Sequence, residues 1–331
     1  MKILNNKKIM SIAAAMAALL LQGPAQAAEM NFAVRQQWTL GEPSKWDYTA
    51  IDTVRHRLFV TRGDRVQVLE LPSGKPMGEI ANTQGVHGVA FAQDLKLGFT
   101  SNGRTDSITV FDLDTLQVKQ EIKTTGSNPD AILYEPKSHK LFTFNGKSAN
   151  VTVIDAVSLK PVATIATSGR PEFSVSDNAG KIFFNIEDKS EIHVIDVATN
   201  TLVSKWPLKD CVEPTGLAMD IAHARLFSVC QNKTMVVTDA KTGQRVAGVA
   251  IGEHPDAAIY DAETANIFTS NGDGGGTVTV IHQDDADHYS VTGNVVTAQG
   301  AKTMAMDMKS KIIYLPTVSD KKFVIMVVGA K

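Results

Sequence analysis

The stretch LFTFNGKSANVTVID, residues 141–155, decides the fold. Two short runs rich in β-branched and aromatic residues flank Asn145-Gly146, and their alternation has the period of two that a strand imposes. Asn and Gly accept the positive φ of a tight turn, so strand, Asn-Gly turn, strand reads as a β-hairpin. Working outward, the second half recurs as VQVLE (66–70), ITVFD (108–112), IHVID (192–196), MVVTD (235–239), VTVIH (278–282) and FVIMV (323–327). The first half recurs as LFVTRG (58–63), GFTSNG (98–103), IFFN (182–185), LFSV (226–229), IFTSNG (267–272) and IYLP (313–316). The hairpin therefore occurs seven times.

A third run precedes each hairpin. Aligned on its start, the units begin at Asp47, His87, Asp130, Glu172, Thr215, Asp256 and Lys302, at spacings of 40, 43, 42, 43, 41 and 46 residues. That period is the length of a four-stranded propeller blade and exceeds leucine-rich and ankyrin repeats. A fourth run, such as VKQEI (118–122), PVATI (161–165) or VSKWPL (203–208), is more polar, as suits an outer edge that must not attract other sheets. The seventh unit ends after its third run, while RQQWTL (35–40) lies ahead of the first unit with no hairpin of its own. The expectation is an all-β, seven-bladed β-propeller of four-stranded antiparallel blades, its ring closed by the N-terminal strand in the last blade.

Composition agrees. The chain has 331 residues, 43% hydrophobic and 21% charged, enough apolar surface for a large core and too much for disorder. Lys2, Lys7 and Lys8 precede the apolar run Ile9–Leu21, and small residues follow up to Ala27. This is the layout of a signal peptide over residues 1–27, cleaved after Ala27, ahead of a single domain over 28–331. The run has 13 residues, short of the roughly 20 that a membrane-crossing helix needs. Export to a Gram-negative periplasm is the expected destination. Cleavage leaves 30 basic against 35 acidic side chains, a charge of about −5, which disfavours a dedicated nucleic-acid binder. Local basic residues such as Lys321 and Lys322 leave weaker association with nucleic acid open.

The units resemble the YVTN-repeat (YncE-like) seven-bladed β-propellers of exported bacterial proteins, over essentially residues 31–331. Blade starts Asn128-Pro129-Asp130, Glu213-Pro214-Thr215 and His254-Pro255-Asp256, with Arg170-Pro171-Glu172 as a variant, carry the resemblance. The seventh unit departs from it, with Lys302 and Pro316 where others have an acid and Asn or Phe. The resemblance implies a binding or scaffold module whose ligand varies between members.

Inner strands of a propeller line an axial channel, and the seven start residues ring one mouth of it. Arg62, Asn102, Asn145, Asn271 and His254 belong to the same face by their place in the repeat. Converging carboxylates repel one another unless a cation compensates them. The mouth is accordingly a candidate site for a small polar ligand, a partner protein or a divalent cation (Ca, Mg, Mn or Zn), with Asp130, Asp256, His87 and His254 as metal-ligand candidates. The alternative is architectural: an Asp at each strand start caps backbone N–H groups. The catalytic motifs of serine hydrolases and zincins are absent, so a monomeric binding module is the expectation. A metal-assisted lactonase or lyase using the same mouth is the competing one. Blade 6 adds the glycine-rich loop 272–276 and a His-Asp turn over 282–288, read as a flexible loop and a solvated turn. Cys211 and Cys230 flank the first two strands of the fifth unit, where export makes a disulfide the default; a reduced pair holding copper or zinc is the alternative.

Overall fold

Each middle strand is buried on both faces. In Asn150–Asp155 the four residues 151–154 are all buried, and Leu97–Asn102 and Lys140–Asn145 repeat the pattern after one half-exposed residue. A strand in a two-layer sandwich would expose one face; burial on both means that every sheet has a neighbouring sheet on either side. The computed structural model describes residues 31–331 and, ahead of them, Met1 alone. The leader expected over residues 1–27 and its cleavage site therefore fall outside the described residues.

Seven four-stranded antiparallel sheets follow one another along the chain. Blades 1 to 6 cover residues 49–81, 86–123, 129–166, 171–207, 214–250 and 255–296, each with its strands in chain order. Blade 7 takes Ala305–Asp307, Ile312–Ser319 and Lys322–Ala330 from the C-terminus and Phe32–Thr39 as its outermost strand. Phe32 pairs with Ala330 and Trp38 with Ile325, so the two ends of the described chain close the ring. The sequence suggested 35–40 for this clasp. Pairing starts earlier because the third strand continues through Gly329 and Ala330.

Apolar clusters sit between blades. Phe59, Val66 and Ile80 of blade 1 pack with Val86 and Phe111 of blade 2, and Phe142, Phe144 and Ile165 of blade 3 with Ile182, Phe184 and Ile195 of blade 4. Each buried Phe or Ile contributes about 1.5–3 kcal/mol, and none of it is available to a blade alone. The outer strands are mostly exposed and bury one main aliphatic anchor: Ile80, Ile122, Ile165, Val249 or Val295.

The Asp that ends so many runs has a local cause. Asp52 and Asp220, at the ends of first strands, and Asp112, Asp155 and Asp239, at the ends of third strands, accept N–H groups two and three residues on, closing the turns opposite the ring of start residues. The Asn-Gly pairs behave differently from expectation. Positive φ in the turns between second and third strands falls on Asp106, Ala149, Ser190 and Lys233 in blades 2 to 5 and on Gly63, Gly274, Gly275, Gly276, Asp320 and Lys321 in blades 1, 6 and 7, whereas Asn102, Asn145, Asn271, Gly103, Gly146 and Gly272 keep ordinary φ. Their asparagines are wholly buried and tie the hairpin from within. Asn102 Nδ2 donates to Thr109 Oγ1 at 2.9 Å, Asn145 Nδ2 to Thr152 Oγ1 at 2.9 Å and Asn271 Nδ2 to Thr279 Oγ1 at 3.1 Å.

Cys211 and Cys230 form a disulfide, with Cα atoms 5.3 Å apart. Among the described residues no helix is long and apolar enough to cross a membrane.

Candidate functional site

In blades 3 to 6 the inner strand opens on a proline: Pro129, Pro171, Pro214 and Pro255. Proline has no N–H to pair, which suits the first position of a strand. The register slips immediately afterwards, between Pro129 and Ile132, Pro171 and Ser174, Pro214 and Leu217, and Pro255 and Ala257. Such a bulge re-aims a side chain, here Asp130, Glu172, Thr215 or Asp256. Blade 2 slips between Val86 and Val89, around His87. Asp47 and Lys302 precede the short inner strands Thr49–Asp52 and Ala305–Asp307. Hydrogen bonds from blade to blade stitch the ring: Thr303 Oγ1 to the Asp47 carbonyl, Tyr48 N to the His87 carbonyl, Ser101 Oγ to the Asp130 carbonyl and Thr215 Oγ1 to the Pro255 carbonyl.

The polar side chains at this mouth form three groups. In the first, His87 Nδ1 lies 2.5 Å from Asp47 Oδ2 and 3.5 Å from Asp130 Oδ1. Burial works against the imidazolium, but Asp47 and Asp130 outweigh it and push the His87 pKa up to about 9. Burial, partly offset by His87, pushes Asp130 up to about 7. In the second group the Tyr48 phenol donates to Glu172 Oε1 at 2.7 Å, reaching across the channel from blade 1 to blade 4, with its ring edge-on to Phe173. Burial, reinforced by Asp130 and Asp256, lifts the Glu172 carboxyl well above the usual carboxylate range. In the third, Lys302 Nζ sits 2.6 Å from Asp256 Oδ2; burial opposes its charge, yet Asp256 and Asp47 keep it above the ordinary lysine value.

None of these four carboxylates accepts a backbone N–H among the described hydrogen bonds, so the capping alternative does not account for them. Capping is done by the Asp residues of the opposite face and, on this face, by Asp106 and Asp188 in the turns. Beside the first group a cavity of about 480 Å³ opens, lined by Trp46, Asp47, Val86, His87, Asp106, Ser127 and Asn128, by Gly63, Gly85 and Gly103, and by Lys45, Arg104 and Lys147.

Asp47, His87, Asp130, Glu172, Asp256 and Lys302 thus meet at the mouth. Five other sequence candidates, Arg62, Asn102, Asn145, Asn271 and His254, do not. Arg62 is 2% exposed and donates to Ser44 Oγ, Gln67 and the carbonyls of Leu40 and Glu42, with its guanidinium 3.9 Å from the centre of the Phe323 ring. It fastens the N-terminal segment to blades 1 and 7. Asn102, Asn145 and Asn271 spend their amides inside hairpins, as above. Of the metal-ligand candidates, His87 and Asp130 come together, Asp256 is taken by Lys302, and His254 is exposed outside the cluster. Among the described residues, the group whose ligand atoms lie within 4.8 Å of one another is Asp47, His87 and Asp130.

Sequence reading missed Tyr48 and the three cations. Tyr48 follows the start residue of blade 1, and a period-two count alone does not reveal that it crosses the channel. Arg104 and Lys147 each follow an Asn-Gly pair, at equivalent positions of adjacent blades, and that signal was legible.

No family model matches the sequence, and no curated protein matches it. Solved structures do. A chain of a mitotic checkpoint complex is 13% identical, with 99% of each chain covered and a TM-score of 0.79. The WD40 repeats of RRP9 are 9% identical over 89% of this chain and 98% of that one, with a TM-score of 0.78. A chain of Kuenenia stuttgartiensis hydrazine synthase is 17% identical over 87% and 97%, with a TM-score of 0.73. At these identities the likeness establishes the seven-bladed propeller fold alone.

Proposed function

We propose that this chain is a periplasmic binding or interaction module of the YVTN-repeat kind, exported by residues 1–27, which recognises a small polar ligand or partner at the mouth bearing Asp47, His87, Asp130, Glu172 and Asp256. One observation carries the reading: a cavity of about 480 Å³, within the size range of small-molecule sites, opens beside buried groups of shifted acidity. The disulfide supports the compartment, since such bonds persist in oxidising spaces. Propellers also serve as interaction scaffolds, and one structural neighbour belongs to a multiprotein checkpoint complex. The test is a thermal-shift screen of a metabolite library against the mature chain. A ligand whose effect vanishes in Asp47→Asn and His87→Gln supports the reading; hits indifferent to both substitutions refute it. Fusion of residues 1–30 to alkaline phosphatase, active only after export, tests the leader.

A second reading, a metal-assisted lactonase- or lyase-like enzyme, has its own observation. Asp47, His87 and Asp130 offer two carboxylates and an imidazole within 4.8 Å, and Asp130 Oδ1 is buried without a hydrogen-bond partner. That donor set suits Zn or Mn better than Ca, which takes six to eight oxygens. A divalent ion there would act as a Lewis acid. Elemental analysis decides: stoichiometric metal lost in Asp47→Asn and Asp130→Asn favours the enzyme.

A further inference from the structure

We propose that the cleft beside the channel takes a small oxyanion, a ligand bearing carboxylate or phosphate groups, held by Lys45, Arg104 and Lys147. The inference rests on the mouth being a recognition face and assigns the sign of what it recognises. Charge pairing on this face is uneven. Around blades 4 to 7 four cations are engaged, Arg170 with Glu187 at 2.6 Å, Lys302 with Asp256 at 2.6 Å, Lys189 with Asp188 at 3.9 Å, and Lys233 with Glu253, while the exposed Lys209 and Lys321 line no part of the cavity. Lys45, Arg104 and Lys147 are exposed, line the cavity, and make no ion pair among the described residues.

The two carboxylates of the cleft wall are already committed. Asp47 is paired with His87, and Asp106 accepts the Asn128 N–H at 2.7 Å and the Ser127 hydroxyl at 3.4 Å. The wall therefore presents more unpaired positive than negative charge. Its shape depends on missing side chains. A Cβ on Gly103 would lie 2.4 Å from Asn128 Nδ2, and one on Gly85 would lie 2.8 Å from Arg104 Cγ. The glycines thus let Asn128, His87 and Arg104 pack directly against the backbone and set the cleft wall. Arg104 and Lys147 project from equivalent turns of blades 2 and 3, and Lys45 from the segment entering blade 1. Three cations along one cleft suit a ligand with two or more anionic groups, and a guanidinium adds bidentate recognition of carboxylate or phosphate.

The test is calorimetric titration of the mature chain at low ionic strength with inorganic phosphate, with succinate, and with spermidine as the probe of opposite sign. One oxyanion site is expected, with Kd raised at least tenfold in Arg104→Gln/Lys147→Gln. Those side chains are exposed and unpaired, so an unchanged melting temperature certifies the fold of the double variant. Preference for phosphate over succinate, or the reverse, tells a phosphorylated ligand from a carboxylated one. Equal affinity in wild type and double variant overturns the proposal. Spermidine binding that disappears in Asp47→Asn overturns the sign while keeping the mouth as a recognition face. Heat from neither class of probe also overturns it, and the library screen then judges the recognition face separately.

Discussion

The mouth is built from one repeat, yet the sector of blades 1 to 3 differs from that of blades 5 and 6. On the blade 5 side, a Cβ on Gly216 would fall 2.6 Å from Ala257 Cα, so the inner strands of blades 5 and 6 touch backbone to backbone. A disulfide pins the start of blade 5, and Lys302 neutralises Asp256. On the blade 1 side, Gly63, Gly85 and Gly103 leave a cavity, and the imidazole of His87 is shared between two carboxylates. Identical topology thus gives a closed sector and an open one. The difference lies in a few side chains at strand starts and in the turns, which the repeat leaves free to vary.

The largest effect expected from breaking this contrast comes from the clasp that borders the open sector. Arg62→Ala removes donors from two backbone carbonyls, a hydroxyl and an amide oxygen, along with the contact on Phe323. Four hydrogen bonds from one guanidinium to part-buried acceptors, together with the lost ring contact, make the loss about 3–5 kcal/mol. Chemical denaturation should show it, and an unchanged midpoint would refute the structural role assigned to this arginine. Next comes the closed sector. Cys211 and Cys230 are 19 residues apart, and the chain-entropy model gives about 3 kcal/mol for a loop of that size. Cys211→Ser/Cys230→Ser should lose that amount while the His87 titration followed by NMR stays in place, because the groups that set its acidity, Asp47, Asp130 and Lys302, lie outside the disulfide loop.

A third prediction uses acidity. A histidine whose folded pKa is raised gives stability that is complete below its ordinary value near 6.5 and lost as pH rises through about 9. Asp130, raised to about 7, runs the same way: its burial costs least while protonated, and stability falls as pH climbs from the usual carboxylate range toward 7. The charged groups facing His87 are Asp47, Asp130 and Lys302, and Asp130 itself faces Asp47, Asp256 and Glu187. Thermal stability should therefore decline steadily from pH 5 to 9. Asp130→Asn should remove the lower half of the decline, gaining about 1–2 kcal/mol at pH 8, and shift the upper half to lower pH because its field no longer supports the imidazolium. A flat profile would contradict the placing of His87 between Asp47 and the buried Asp130.

Hydrophobic alternation and a period of 40 to 46 residues made the blades legible in the sequence, and the truncated seventh unit revealed the ring closure. These features repeat, so they can be read by comparing the chain with itself. The site was legible only in part. Asp47, His87, Asp130, Glu172 and Asp256 were found because they hold one repeat position, but their division into three groups depends on Tyr48 and Lys302 reaching across from other blades. Asn102, Asn145 and Asn271 were misplaced because an Asn-Gly pair was read as a turn device. In the folded chain its asparagine staples the hairpin, while Gly103 and Gly272 make room for side chains of the next blade.

That last point gives the smallest and most selective test of the contrast. Gly103 and Gly146 occupy the same position in adjacent blades, both with ordinary φ, so an alanine strains the backbone at neither. They differ in what a Cβ would meet. At Gly103 it would press on Asn128 Nδ2 at 2.4 Å and His87 Nε2 at 2.7 Å, the ends of two side chains that can move away; at Gly146 the nearest atom is Arg170 Cγ at 3.5 Å, an ordinary contact. Gly103→Ala should therefore cost about 1 kcal/mol through overpacking, displace the His87 ring and weaken oxyanion binding in the cleft. Gly146→Ala should leave all three unchanged. If the two variants behave alike, the cavity is not shaped by its missing side chains, and the open sector loses its distinction from the closed one.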